Sequence, residues 1–426
     1  MQVRPRSGVS LRWLSAIVGT GALAGCGVQG FGCGDLGVGP CGPTPQFEVA
    51  IDVALADFNH DGRPDVALPV NKGAGVPGVV AAFEHVTGPG KGYLPRADYG
   101  DGIHSADRII SADLDGDGRP DLIVVSAEET SASAAVLLND AASPGTFRLA
   151  QTLDVPHPND VAVADLEGDG RLGLVFAGDT LSVALQNPAA PGSFSAPTTL
   201  YAGSGGFSSV AAGDLDGDGS PDVAVADDRG VIVVLLVPGA ATPTVASAAR
   251  VYGNPAPGPN TGLNAVAIAD LDGDGRNDLV VVDPVNSEVA VILQSHTTPG
   301  QFLPPLRYPL PGKNNGLNRL VVTDLSGQGG LRDIVIAAGD AVLVYLKDAA
   351  QPGTFLPVNS YPAVLSFNGV AVADVDGDGL PDIITDSGAT VAGIGALPPP
   401  GVLYQDAANP GYFLPVQDLQ IVPGAQ

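Results

Sequence analysis

The sequence is short of the features that usually announce catalysis or nucleic-acid binding. Its 426 residues hold 19 Lys and Arg against 46 Asp and Glu, with five His, three Cys and one Trp, and aromatics are 5% of the chain. A formal net charge of −27 repels phosphate backbones and anionic headgroups, which excludes nucleic acid and leaves a surface that attracts cations. The histidines, at 60, 85, 104, 157 and 296, lack zinc-ligand spacing, and there is no Walker loop, no G-x-S-x-G and no H-E-x-x-H. No stretch longer than a signal peptide carries a 3.6-residue apolar stripe, so helix is nearly excluded.

What is present begins with a leader. Arg4, Arg6 and Arg12 precede the apolar segment Trp13–Gly25, which is too short to span a bilayer as a mature helix. Leu23-Ala24-Gly25-Cys26 resembles the bacterial lipobox, which implies cleavage after residue 25 and lipidation of Cys26; an ordinary secretory signal is the alternative. Removing the leader takes away three arginines, no acid and the single Trp, the commonest sugar-stacking side chain. Residues 26–46 are rich in Gly and Pro and read as a flexible tether with a reach of roughly 25 Å. Within it Cys33 and Cys41 could close a small disulfide or stay as thiols. Gly27, where an acidic residue would favour inner-membrane retention in some bacteria, points to the outer membrane or the cell surface.

From residue 47 to 426 one pattern repeats seven times. "ADLDGDGRPDLIVV" from Ala112 has near-copies whose first Asp stands at 57, 113, 165, 214, 270, 324 and 374, spaced 49 to 56 residues apart. That period suits one four-stranded propeller blade. Pro-Gly pairs at Pro89, Pro144, Pro191, Pro238, Pro299, Pro352 and Pro410 follow each acidic loop, and most continue to an aromatic residue. Each unit therefore reads strand, acidic loop, strand, turn, strand, Pro-Gly turn, strand: an all-β, seven-bladed propeller in one domain. The short lead before Asp57 suggests that blade one lacks its first strand, and the tail Gly411–Val422 that it supplies it, closing the ring. Tyr99, Tyr201, Tyr252, Tyr308 and Tyr361 follow successive Pro-Gly turns and read as blade packing.

The acidic loops read as cation sites. Carboxylates at alternate positions of a tight turn converge, Gly118 permits the bend, and the Arg119 carbonyl with Asp121 completes an oxygen shell suited to calcium. A strand follows where an EF-hand would place a helix, and no Glu closes the loop at its twelfth position. The recurring D-x-D-x-D-G-x-x-D inside a fifty-residue β repeat resembles the FG-GAP/VCBS family, typified by the propellers of integrin α subunits. The resemblance implies metal ligands at Asp57, Asn59, Asp61 and Asp65; Asp113, Asp115, Asp117 and Asp121; Asp214, Asp216, Asp218 and Asp222; Asp270, Asp272, Asp274 and Asp278; and Asp374, Asp376, Asp378 and Asp382. The third loop keeps Asp165, Glu167 and Asp169 but has Gly173 in the closing place, so its site is expected to be partial. The sixth, with Asp324, Ser326, Gln328 and a late Asp333, is expected to be empty.

These features lead to a non-catalytic, calcium-stabilised adhesion or protein-binding scaffold, monomeric and lipid-anchored at the bacterial envelope, with a protein or glycan partner. A lectin-like propeller is the alternative, and a polysaccharide lyase a weaker one, since few basic residues remain to build its cleft.

Overall fold

The computed structural model describes residues 48–421 apart from 73–77, 86–91, 104–105, 128–132, 204–205, 228, 238, 241, 254–264, 312–318, 328–331 and 387–398. The leader, Cys26 and the tether with Cys33 and Cys41 lie outside these residues.

Seven antiparallel sheets follow one another along the chain, each built from consecutive strands. Blade two is typical. Arg108–Ala112 pairs with Asp121–Val125, which pairs with Ala134–Asn139, which pairs with Phe147–Leu153. The acidic loop joins the first two strands, and Pro144-Gly145 joins the last two. The second strand, Asp-Leu-Ile-Val-Val, is buried at every position because other blades cover both faces of its sheet. That explains the unbroken β-branched run, where a one-sided sheet would alternate. The outer strand of the blade is mostly exposed between Phe147 and Leu153, so it can carry Arg, Gln and Thr.

Apolar clusters join neighbouring blades. One gathers Ile123, Val125, Val136 and Leu138 of blade two with Val161, Leu174, Phe176 and Phe194 of blade three. Fully burying each such side chain contributes about 1.5–3 kcal/mol, so the seams between blades hold the ring together. The tyrosines belong to these seams. Tyr99, Tyr308 and Tyr361 meet Phe147, Phe355 and Phe413 of the following blade edge-to-face at 5.4, 5.7 and 5.7 Å.

Ring closure differs from the sequence expectation. Blade one has its own inner strand, split into Val49–Ala50 and Ala54–Ala56, and both pieces pair with Asp65–Asn71. The tail is not surplus: Gln417–Asp418 is the outer strand of blade seven, paired with Gly401–Leu403. Blades seven and one meet through a shared cluster that includes Ala50, Val66, Val375, Ile384, Val402 and Leu419. One backbone bond, from Tyr93 N to Gln420 O at 2.7 Å, and the Tyr93–Ile421 bridge add to it.

The gap that splits the first inner strand places Asp52 at the axis. Five residues before the first loop Asp, successive blades carry Asp52, Arg108, Asp160, Ser209, Ala265, Arg319 and Gly369. Arg319 reaches Asp52 and Asp160, each at 3.2 Å, and Arg108 Nε lies 3.8 Å from Asp160. The two carboxylates also accept backbone N–H groups from the next blade, Ile109 at 3.1 Å and Val210 at 3.1 Å, while Ser209 Oγ donates to Asp160 at 2.8 Å. Burying charges is costly unless they are paired and hydrogen-bonded, and both conditions are met. No motif search marks this hub; aligning the seven repeats on that column exposes it.

Candidate metal centre

The acidic loops and the Pro-Gly turns pack together. Gly192 has φ +75°, and a Cβ there would stand 2.7 Å from Leu138 Cδ1 and 3.0 Å from Asp115 Cβ. The blade-three turn thus rests on loop two, and only glycine fits. Gly300 on Asp216 and Gly353 on Asp272 repeat the contact.

Loop two shows how the turn is built. Asp113 accepts the N–H groups of Gly116 at 2.8 Å, Asp117 at 3.1 Å and Gly118 at 2.9 Å; Asp115 accepts Asp117 N, and Asp117 accepts Arg119 N. Gly118 sits at φ +87°, a left-handed bend that side chains rarely adopt, as the sequence required. His60, in the loop-one place taken by Gly116 here, is also left-handed at φ 61° and exposed.

The closing aspartate has a second duty, which the sequence reading missed. Asp121 is buried and accepts Leu114 N at 2.8 Å and, from the far end of the third strand, Asn139 N at 2.8 Å. Asp65, Asp222, Asp278, Asp333 and Asp382 make the same two-sided clamp. Burial is the main cause that raises these carboxyls: Asp65 and Asp278 to about 7, and Asp121, Asp222 and Asp382 to about 6, against the lowering pull of the N–H groups. Neighbouring loop carboxylates add to the rise. The residue whose N–H is clamped often latches the preceding blade. The Asn139 amide donates to Phe58 O at 2.9 Å, Gln294 to Leu215 O at 2.8 Å and Gln405 to Leu325 O at 3.0 Å; in blade three, which has no clamping aspartate, Gln186 makes the same latch to Leu114 O.

Three carboxylate ligand atoms converge to within 4.8 Å of one another in four loops: Asp113, Asp115 and Asp121; Asp214, Asp216 and Asp218; Asp270, Asp272 and Asp278; Asp374, Asp376 and Asp382. Burial, then the adjacent charge of Asp117 or Asp218, raises Asp115 and Asp216. Such mutual repulsion is what a hard cation relieves. Asp117 pairs with Arg119 and Asp169 with Arg171, so in these loops an arginine already neutralises the fifth-position carboxylate.

The other loops differ. In loop one Asn59 removes a carboxylate, but Asp61 Oδ2 is buried without a hydrogen-bond partner, a donor set that still fits a cation. Glu84 stands beside it, raised by burial and then by the charge of Asp61. In loop three the missing carboxylate is replaced by packing, with Leu166 Cδ1 3.1 Å from where a Gly173 Cβ would lie; Asp165 and Asp169 keep their turn bonds. In loop six Gln328 is outside the described residues, while Lys347, with a buried side chain, places Nζ 3.4 Å from Asp324 Oδ1.

The FG-GAP-like repeat family matches residues 113–176, 174–225 and 330–385. No curated protein sequence matches. Among solved structures, an Agrocybe aegerita lectin described as recognising non-reducing terminal N-acetylglucosamine is 20% identical, with 88% of this chain and 90% of that one covered and a TM-score of 0.51. The Pseudomonas aeruginosa periplasmic gluconolactonase is 18% identical over 75% and 87%, TM-score 0.51. The N-terminal part of BBS1, solved in complex with ARL6, is 12% identical over 80% and 90%, TM-score 0.51. At these identities they share the fold alone.

Proposed function

We propose that this seven-bladed propeller, in which FG-GAP-like repeats match residues 113–225 and 330–385, is a calcium-stapled, non-catalytic binding scaffold exported to the bacterial envelope and held there through Cys26. The observation that carries this reading is the convergence of three carboxylates in each of four loops. Calcium would be held by the five complete ligand sets beginning at Asp57, Asp113, Asp214, Asp270 and Asp374, with a weaker sixth at Asp165, Glu167 and Asp169. Loop six holds none, because the Lys347 ammonium already stands at Asp324. The ion neutralises the clustered charge and fixes each loop between its blade and the next blade's Pro-Gly turn.

The described charged side chains away from the loops are largely engaged in structural pairs. Arg108 and Arg319 bind the axial aspartates, and Arg250 makes a two-pronged pair with Asp227 at 2.6 and 2.7 Å. That supports a partner-binding role over catalysis. Isothermal titration of metal-free protein, paired with thermal melts with and without chelator, tests the reading. A count of five or six ions with marked stabilisation is expected; a count near zero with unchanged melting overturns it.

A second reading, a glycan-binding propeller, draws on a cleft of about 270 Å³ between blades four and five, lined in part by Asp216, Ser247 and Gln301. A glycan array run in calcium separates the two, and silence across it removes the lectin.

A further inference from the structure

The turn after the third strand carries Ala141, Ala349 and Ala407 in blades two, six and seven, and Pro188 in blade three; in blade five the same place holds His296. Its Nδ1 lies 2.7 Å from Asp274 Oδ2 and its Nε2 3.5 Å from Asp272 Oδ2. Asp272, Asp274 and His296 bring three ligand atoms within 4.8 Å of one another, beside the all-oxygen trio of Asp270, Asp272 and Asp278. A separate observation points the same way. The arginine that pairs tightly with the fifth-position carboxylate in loops two and three is turned aside in loop five, where Arg276 bonds the Ser295 carbonyl and keeps its Nε 3.9 Å from Asp274. Asp274 thus keeps only a long ion pair with Arg276, and the imidazole is its nearer partner.

We propose that loop five, which takes calcium when no other ion competes, is a mixed nitrogen–oxygen site, held by Asp272, Asp274 and His296, that prefers a borderline divalent ion of the zinc and cobalt class over calcium. Calcium takes oxygen ligands, whereas neutral imidazole suits zinc and its transition-metal neighbours. The His296 side chain is 58% exposed, so an ion can reach it from solvent without opening the blade. The inference rests on the metal-binding reading of the loops.

Full-length protein, freed of metal and then saturated with calcium, is titrated with Co2+ while the visible absorption of the ion is followed, in parallel with His296→Ala. The native protein is expected to bind one equivalent of Co2+ at least tenfold more tightly than the variant, with absorption bands that the variant lacks and an unchanged calcium count at the other loops. Equal Co2+ binding by both proteins, with five or six calcium ions bound, overturns this proposal alone. One equivalent of Co2+ bound through His296, with no calcium anywhere, overturns the calcium reading and sustains this one.

Discussion

Loops seven and six stand in adjacent blades and share half of their chemistry. In both, the closing aspartate is buried and clamps two backbone N–H groups: Asp382 takes those of Val375 and Gln405, and Asp333 those of Leu325 and Lys347. The other half diverges. Loop seven gathers Asp374 and Asp376 with Asp382, while loop six has Ser326 in the middle place and a lysine ammonium at Asp324. Gln405, the blade-seven counterpart of Lys347, instead sends its amide to Leu325 O of blade six. The repeat thus has two separable layers. The clamp belongs to the fold of six blades and persists where no metal is expected; the alternating carboxylates are the ligands that the proposed calcium would use, and loop six, with its tethered ammonium, lacks them.

Metal removal should split the two layers most widely. A site filled at about 100 times its dissociation constant gains roughly 2.7 kcal/mol, so chelation is expected to lower the melting temperature strongly, and Asp376→Ala should abolish one calcium equivalent while changing the chelated melt little. Next in size is the clamp. Asp333→Ala strands two buried N–H groups at about 1–3 kcal/mol each and should destabilise equally with calcium or chelator in urea titrations. Asp382→Ala should cost more with calcium than without it, and equal losses would merge the layers. Lys347→Met removes a buried ammonium from beside Asp324 and should cost about 1–3 kcal/mol, independent of calcium; a calcium-dependent loss would show that loop six binds the ion after all.

The smallest effect concerns pH. In the unfolded chain these aspartates titrate near their ordinary value, about 3.9. Burial raises five of the clamps to about 6 or 7 in the metal-free fold. Between about pH 4 and 7 the folded state therefore binds more protons than the unfolded one. Metal-free protein should lose stability as pH rises through that window, and calcium, which needs the ionised carboxylates, should reverse the slope. Urea midpoints at both ends of the window, with and without calcium, measure it.

Much of this was legible in the sequence because the acidic loops recur with little change. Strand order, blade count and the place of the Pro-Gly turns all follow from that spacing. Closure was misread because the inner strand of blade one is short and interrupted at Asp52, which made it look missing, and because the outer strand Gln417–Asp418 is brief enough to pass for surplus. The hub escaped because Asp52, Arg108, Asp160 and Arg319 are separated by some fifty residues or more and mean nothing singly. Lys347 and His296 escaped for a related reason: they lie a strand beyond the motif they modify, where only pairing brings them back to it.

Arg319 has a mechanical meaning. It joins blade six to blades one and three, so it crosses the middle of the ring as a strut crosses a hoop. Widening the ring would pull a partly buried guanidinium from two buried carboxylates at once, and narrowing it would crowd them. The ion pairs accordingly resist both movements, so the ring is braced from its centre as well as along its seams.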